Sequence, residues 1–196
     1  MKCDKKDLLL YAVTDRAWLG GRTLAEQVEE ALRGGATFVQ LREKELAGEA
    51  LLAEAREIQA LCRRYRVPFV IDDDVALARQ IDADGVHVGQ SDMEAQKARA
   101  LLGEDKILGA PAQTVEQAVL AEQNGADYLG LDTLRAICRA VSIPVVAIGG
   151  IGAHNVEQLR GSGICGVAVI SAIFAAKDIR AAAAELKTRT LQAVEA

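Results

Sequence analysis

Residues 34–44 read Gly-Gly-Ala-Thr-Phe-Val-Gln-Leu-Arg-Glu-Lys. The glycines are typical of a helix end and a tight turn, and the short apolar run after them is typical of a buried strand. Residues 124–129 and 163–169 have the same form, so this unit recurs along the chain. Charged side chains follow the apolar run directly, at the edge where parallel sheets of α/β folds place their ligands.

Apolar runs of strand length recur along the chain, and the stretches between them are rich in helix formers. The runs do not alternate with polar residues, which indicates strands buried on both faces. Capping boxes at residues 23–26 and 114–117 indicate helix starts. Eight β/α units predict an α/β protein with one domain, residues 1–196, folded as a (β/α)8 TIM barrel; an open doubly wound sheet is the alternative. The predicted strands are residues 8–13, 37–41, 69–71, 85–88, 106–109, 127–129, 145–148 and 166–170.

The composition is that of a globular protein, with 51% hydrophobic and 26% charged residues among 196. The net charge of -5 disfavours nucleic acid as a partner, because such partners favour a basic face. No apolar run has the length of a membrane span, and residues 8–13 are too short for a signal peptide. The spacing of the four cysteines indicates reduced thiols, so we expect a cytoplasmic protein with no membrane partner; assembly into a homo-oligomer is left open. These cysteines are Cys3, Cys62, Cys138 and Cys165.

Gln40, Arg42 and Lys44 occupy alternate positions, so their side chains point to one side of the predicted strand. In a barrel that side is the interior, at its mouth. A guanidinium and an ammonium group together can bind a pyrophosphate, to which the glutamine amide adds a hydrogen bond. The alternative is a solvated loop whose charges pair with Glu43 and Glu45.

Three consecutive carboxylates, Asp72, Asp73 and Asp74, follow the apolar run at residues 69–71. Neighbouring carboxylates repel each other, which indicates that a cation offsets them. Carboxylates with phosphate oxygens and water are the usual environment of Mg²⁺, and Asp92, after the next predicted strand, is placed to supply a second protein ligand. The alternative for Asp74 and Asp92 is a role as N-caps of the helices that follow.

Small residues follow the last two predicted strands, at residues 149–152 and at Ser171. Backbone N–H groups in such loops can approach a phosphate, and these two loops form the common phosphate site of barrels; tight turns alone are the alternative. We interpret His87 as a buried or mouth-facing side chain held by a hydrogen bond, and His154 and Asn155 as helix-capping residues.

Taken in order, several segments resemble the thiamine-phosphate synthase family over nearly the whole chain. The matching segments are Tyr11-x-Val13-Thr14-Asp15, residues 39–44, the acidic run at Asp73, residues 84–90 with Asp92-Met93, residues 125–128, residues 143–151 and residues 166–173.

The resemblance implies a (β/α)8 barrel and a transferase that uses Mg²⁺. Such an enzyme joins 4-amino-5-hydroxymethyl-2-methylpyrimidine pyrophosphate to hydroxyethylthiazole phosphate in a dissociative reaction, forming thiamine phosphate and releasing pyrophosphate. The implied substrate-binding residues on the pyrimidine and pyrophosphate side are Gln40, Arg42, Lys44 and Asp72, with Arg42 and Lys44 also catalytic. The implied metal ligands are Asp73 and Asp92, and the implied thiazole phosphate site is formed by Gly149, Gly150, Ile170 and Ser171.

The sequence departs from the family pattern in three places. Asp72 stands where the family usually has Asn, and Ala110-Pro111 stands where it usually has a substrate-binding Ser. Between Gly130 and Leu131 the chain has no counterpart of a longer loop that carries Phe-Pro-Thr-x-Thr-Lys. These departures leave two alternatives open: a non-catalytic barrel, engineered or degenerate, that binds phosphate ligands, and a thiazole tautomerase that needs neither pyrimidine nor metal.

Overall fold

The computed structural model describes residues 3–89, 95–131 and 135–195. Eight parallel strands form a closed barrel, in which each strand pairs with its neighbours in sequence and the last strand pairs with the first. The predicted (β/α)8 barrel is therefore confirmed and the open sheet is excluded, and all eight predicted strands are present. The strands are β1 Leu10–Val13, β2 Phe38–Leu41, β3 Phe69–Asp72, β4 Gly85–His87, β5 Ile107–Ala112, β6 Tyr128–Leu131, β7 Val145–Ile148 and β8 Gly166–Val169.

Helices in the crossovers pack on the outside of the barrel. The α-helices are α1 Leu24–Arg33, α2 Gly48–Tyr65, α3 Val75–Gln80, α4 Ala95–Leu102, α5 Val115–Gln123, α6 Arg135–Ala140, α7 Ser171–Phe174 and α8 Ile179–Val194. Short 3₁₀ helices cover Lys5–Leu8, Arg16–Trp18 and Val156–Leu159. The third of these occupies the β7–β8 crossover, where the repeating pattern predicts an α-helix. Within the described ranges, no helix has the length and apolar character that crossing a membrane requires.

The predicted helix starts follow local side-chain chemistry. The Thr23 hydroxyl accepts from the Glu26 N–H at 3.1 Å, and the Glu26 carboxylate accepts from the Thr23 N–H at 2.7 Å, which confirms this capping box. The Thr114 hydroxyl accepts from the Gln117 N–H at 3.2 Å, but Gln117 Oε1 accepts from the backbone of Gln113. In the second capping box, the glutamine side chain therefore bonds the N–H of Gln113, one residue before the N-cap Thr114.

Strand β5 is longer than the sequence predicts. It continues through Ala110 and Pro111 to Ala112, and Pro111 is the Cα partner of Gly130 in β6. The placement of Ala110 and Pro111 beyond the strand is therefore wrong. Proline lacks an N–H, so it forgoes one ladder hydrogen bond, a loss that a position near the strand end makes tolerable.

The barrel wall separates two apolar cores, because successive strand residues point to opposite faces. In β1, Tyr11 and Val13 belong to the interior core, whereas Leu10 and Ala12 pack outward with the helices. The interior core consists of Cys3, Leu8, Tyr11, Val13, Phe38, Val70, Ile107, Tyr128, Val146 and Ala168. Its three aromatic rings, those of Tyr11, Phe38 and Tyr128, are its largest side chains.

A glycine in β5, Gly109, makes room for the ring of Tyr128. A Cβ atom on Gly109 would lie 2.2 Å from Cζ of Tyr128 and 2.5 Å from Nδ1 of His87. The neighbouring glycine in β6, Gly130, has open surroundings, because a Cβ there would meet nothing closer than 3.7 Å. The two glycines therefore have different roles although both lie in strands.

We expect Gly109→Ala to lower the free energy of unfolding by about 3 kcal/mol, since the added methyl group overpacks a layer that cannot move aside. Gly130→Ala is the matched control and should change it by less than about 1 kcal/mol. Urea unfolding of the two variants and the wild type measures both values. Equal effects would show that the space beside Tyr128 is not the constraint.

Candidate active site

Strands β2 and β3 bring five of the predicted site residues together at the carboxyl-terminal mouth of the barrel. Gln40 lies within β2, Arg42 and Lys44 follow it, Asp72 ends β3 and Asp73 comes next. Lys44 Nζ lies 3.4 Å from Asp72 Oδ2 and 3.5 Å from Asp73 Oδ2. Lys44, which follows the neighbouring strand β2, therefore supplies the positive charge expected beside the acidic run.

Asp72 is the most enclosed of the charged groups, with 13% of its side chain exposed. Its Oδ1 accepts a hydrogen bond from Nε2 of Gln40 at 2.5 Å. Burial raises the pKa of Asp72, as does the charge of Asp73, while the charges of Lys44 and Arg42 act in the opposite direction. Ionised Asp72 therefore depends on the cations of the β2 loop.

Asp73 has a left-handed backbone, with φ of 59°. This conformation is uncommon for a residue with a side chain, and Asp and Asn tolerate it better than most. Its Oδ1 accepts from the Gly89 N–H at 2.7 Å, which ties the β3 loop to the end of β4. Its Oδ2 faces Lys44, so one carboxylate oxygen supports the loop and the other is turned to the mouth.

The remaining predictions for a metal site have different outcomes. Asp74 Oδ1 accepts from the Leu77 N–H at 2.8 Å, so this residue is the N-cap of α3, as its alternative reading predicted. Asp92 lies outside the described residues. Across residues 3–89, 95–131 and 135–195, no group of three or more His, Cys, Asp or Glu side chains is arranged to enclose a metal ion.

Arg42 is held by the loop that follows β1. Its Nη1 donates to Oδ2 of Asp15 at 2.9 Å, and its backbone N–H donates to the Thr14 hydroxyl at 2.9 Å. Thr14 is fully buried. Thr14 and Asp15 carry no predicted role, although they follow the first apolar run just as the other polar clusters follow theirs.

The solvated-loop alternative predicts that Arg42 and Lys44 pair with Glu43 and Glu45. This pairing is wrong, because Arg42 pairs with Asp15 and Lys44 with Asp72 and Asp73. Glu43 instead pairs with Arg16, which also contacts Glu54 Oε1 at 2.5 Å. Burial acts to raise the pKa of Glu43, but the backbone N–H groups of residues 45 and 46 and the Arg16 guanidinium hold this pKa below its usual value. This ionised carboxylate braces the loop that carries both cations.

A row of polar side chains runs from the mouth into the barrel interior. The Tyr11 hydroxyl lies 2.5 Å from Gln40 Oε1 and 2.8 Å from the Tyr128 hydroxyl, which in turn lies 3.0 Å from Nδ1 of His87. Burial lowers the pKa of His87 to about 4, against the opposing charge of Asp73. The interpretation of His87 as a buried or mouth-facing side chain held by a hydrogen bond is confirmed, and its neutral ring makes it a weak candidate for an acid.

The predicted phosphate loops lie at the ends of β7 and β8, which are neighbours in the barrel. Gly149 and Gly150 have φ of 101° and 61°, a region that favours glycine. Ser171 is the first residue of α7, with Ile170 at its N-cap position. These four residues line two adjacent βα loops, as the sequence predicts.

Asn155 is not a helix cap. Its side chain makes no capping hydrogen bond to the Val156–Leu159 segment. Instead, Oδ1 accepts from the Gly152 N–H and Nδ2 donates to the Gly150 carbonyl, both at 2.9 Å. The interpretation of Asn155 as a cap is therefore wrong, and the residue ties the two halves of the glycine loop together.

Comparison with known proteins agrees with this geometry. The sequence model of one protein family, described as thiamine monophosphate synthase, matches residues 10–132 and 129–173, in two parts that overlap at residues 129–132. The thiamine-phosphate synthase of Ruminiclostridium cellulolyticum is 44% identical over 199 residues, covering 93% of this chain and 95% of that protein. The corresponding protein of Clostridium tetani is 43% identical, covering 92% and 94%.

Solved structures give the same result. A thiamine phosphate pyrophosphorylase from Pyrococcus furiosus is 37% identical and superposes with a TM-score of 0.91, covering 97% of this chain and 98% of its own. A thiamine phosphate pyrophosphorylase from Bacteroides thetaiotaomicron is 16% identical with a TM-score of 0.69, which shows a shared fold.

We expect Asp72→Asn to raise the free energy of unfolding at neutral pH. The raised pKa of Asp72 means that the folded protein disfavours the carboxylate more than the unfolded chain does, whereas Asn keeps an acceptor for Gln40 without the charge. The penalty is absent below about pH 3.8 and complete above the raised pKa, so the advantage of the variant should grow as the pH rises from acidic to neutral.

Urea unfolding of both proteins over this pH range measures the difference. The half-exposed Lys44 loses one partner in the variant, but such pairs contribute only about 0–1 kcal/mol. A difference that does not change with pH would contradict the assigned electrostatic cause.

Proposed function

Because the chain belongs to the thiamine monophosphate synthase family, we propose that it is a transferase that condenses 4-amino-5-hydroxymethyl-2-methylpyrimidine pyrophosphate with hydroxyethylthiazole phosphate to give thiamine phosphate and pyrophosphate. The observation that carries this proposal is the meeting of Gln40, Lys44 and Asp72 at the barrel mouth. Cations beside an amide and a carboxylate suit a substrate that has a polar ring and a pyrophosphate.

Arg42 and Lys44 are the proposed catalytic residues on the pyrophosphate side. Both cations lie on a short loop that is fixed by Thr14, Asp15 and Glu43, so their charges are in place before substrate binds. Preorganised charge of this kind stabilises a leaving group without reorganisation during the reaction. The Lys44 side chain is 55% exposed, so its ammonium group is open to a ligand at the mouth.

Asp73 and Asp92 are the proposed ligands of Mg²⁺. Asp73 fits this role because its side chain is 26% exposed at the mouth, and Oδ2 already faces a cationic group at 3.5 Å. Magnesium is commonly held by one or two carboxylates together with substrate phosphates and water, which matches this small donor set. A bound ion would supply charge neutralisation for the leaving pyrophosphate.

Gly149, Gly150, Ile170 and Ser171 are the proposed site for the thiazole phosphate. The left-handed glycines leave the backbone of the β7 loop accessible, and the start of α7 adds N–H groups without intrahelical partners. The Asn155 side chain holds this loop in shape. The phosphate would then lie at the same mouth as the pyrophosphate cations.

In the proposed reaction the bond between the pyrimidine methylene carbon and the pyrophosphate oxygen breaks first. The electron pair leaves with pyrophosphate, which Arg42 and Lys44 stabilise, and the methylene becomes a cation. The thiazole nitrogen then donates its lone pair and forms the new C–N bond. The residues of this chain act through position and charge, which are the effects available for such a reaction.

We propose a cytoplasmic location on separate grounds. Cys3, Cys62, Cys138 and Cys165 are free thiols in the structure. Thiols of this kind persist where the environment is reducing. The proposed partners are the two phosphorylated small molecules, with neither nucleic acid nor membrane among them; association into a homo-oligomer stays open.

We expect the protein to form thiamine phosphate when it is mixed with both substrates and Mg²⁺, and to form none in a matched sample with a metal chelator. Product detection by chromatography measures this. Failure of a folded sample to form product would favour the non-catalytic barrel. Action on a thiazole tautomer alone would favour the tautomerase.

We expect Asp73→Asn to weaken Mg²⁺-dependent binding of pyrophosphate by at least about 10-fold and to leave thiazole phosphate binding nearly unchanged. Asn retains both the tolerance for a left-handed backbone and an acceptor for Gly89, so the loop should keep its shape. Asp74→Ser, which removes the adjacent charge but keeps the N-cap, is the matched control.

Isothermal titration with pyrophosphate and with the thiazole phosphate, each with and without Mg²⁺, measures both affinities. Equal losses for the two ligands in Asp73→Asn, or an equal loss in the Asp74→Ser control, would refute the assignment of Asp73 to the metal.

A further inference from the structure

The polar row in the barrel interior has a direction that follows from its last member. Asp72 is a carboxylate and can only accept, so the atom of Gln40 that faces it at 2.5 Å must be the donor Nε2. This places Oε1 of Gln40 toward the Tyr11 hydroxyl, which lies 2.5 Å away and donates to it. The orientation of the Gln40 amide is thus determined at both ends.

The remaining protons are assigned by counting. A tyrosine hydroxyl has one hydrogen, and that of Tyr11 is used on Gln40. The Tyr128 hydroxyl must therefore donate to Tyr11, and Nδ1–H of His87 must donate to Tyr128. All four hydrogen bonds point the same way, from His87 to Asp72, and hydrogen bonds in such a chain strengthen one another.

The packing prevents these groups from adopting another arrangement. Tyr11 and Tyr128 are buried to within 1% of their surface, and the ring of Phe38 lies 4.6 Å and 5.7 Å from theirs. Gly109 places the Tyr128 ring against His87. Because no water reaches the two hydroxyls, each has to keep its protein partner.

We propose that Tyr11 is a positioning residue that, with Tyr128 and His87 behind it, fixes the Gln40 amide so that Nε2–H, and not Oε1, is presented at the mouth. One hydrogen of Nε2 is used on Asp72, and the second is the donor that the amide offers to a ligand. The ligand atom recognised there is therefore an acceptor, such as a ring nitrogen. This inference rests on the proposed function, since it deepens the role of the pyrimidine side of the site.

The role predicts a selective kinetic effect. Tyr11→Phe keeps the ring and removes one neutral hydrogen bond to Gln40, so the KM for the pyrimidine substrate should rise about 3- to 10-fold. The KM for the thiazole phosphate should not change, because that site lies on β7 and β8. Tyr65→Phe makes the same chemical change at a surface tyrosine that bonds Glu29, and should alter neither KM.

A double-mutant cycle separates positioning from other effects. If Tyr11 acts through Gln40, Tyr11→Phe should have no further effect on the pyrimidine KM once Gln40→Ala is present. An undiminished effect in that background, or equal increases of both KM values in the single variant, would overturn the proposal while leaving the proposed function intact.

A measurement without turnover keeps the inference testable if the wild type forms no product. The side-chain amide resonances of Gln40, assigned in ¹⁵N-labelled protein by their loss in Gln40→Ala, should be sharp and slow to exchange with solvent. Tyr11→Phe should shift them and speed their exchange, Tyr128→Phe should do so to a smaller extent, and Tyr65→Phe should not. Resonances that are unchanged in Tyr11→Phe would refute the proposal.

Discussion

Closure of the parallel barrel governs how its interior is packed and which groups meet at its mouth. Every strand is paired on both sides, so half of the strand side chains must fill an enclosed interior. Only 4% of the residues are aromatic, yet three of these rings, Tyr11, Phe38 and Tyr128, pack edge-to-face with one another inside it. Two of them bring hydroxyl groups that cannot remain without partners in a dry interior.

The polar part of the interior and the candidate site are consequently one structure. The hydroxyls of Tyr11 and Tyr128 find partners in each other, in His87 at the end of β4 and in Gln40 of β2. Gln40 then meets Asp72, whose charge is compensated by the loop cations. Ionised Asp72 at the mouth thereby sets the donor and acceptor of each hydrogen bond between Gln40 and the two buried tyrosines.

The loops at the mouth support each other across neighbouring units. Thr14 and Asp15 hold Arg42, Arg16 holds Glu43, and the Gly89 N–H holds Asp73. None of these contacts is needed to close the barrel. Their effect is to fix charges before a ligand arrives, which is the condition for electrostatic stabilisation of a leaving group.

Three features follow from the order of the amino acids alone: the eight strands, the capped helix starts at Thr23 and Thr114, and the side of β2 on which Gln40 lies. These features depend on turn residues, on burial and on a period of two, all of which act between residues near in sequence. The predicted end of β5 at residue 109 is wrong, because a proline near a strand end breaks the local pattern without ending the strand.

Which side chains meet depends on contacts between residues that are far apart in the sequence. Arg42 and Asp15 are 27 residues apart, and Tyr11 and Tyr128 are 117 apart, so no local pattern pairs them. Periodicity gives the face and approximate depth of a side chain, but its partners depend on the strand register and on the closure that places β6 across the barrel from β1 and β2. The orientation of the Gln40 amide follows from its partners Tyr11 and Asp72. It can therefore be assigned in the folded barrel but not from the amino-acid sequence.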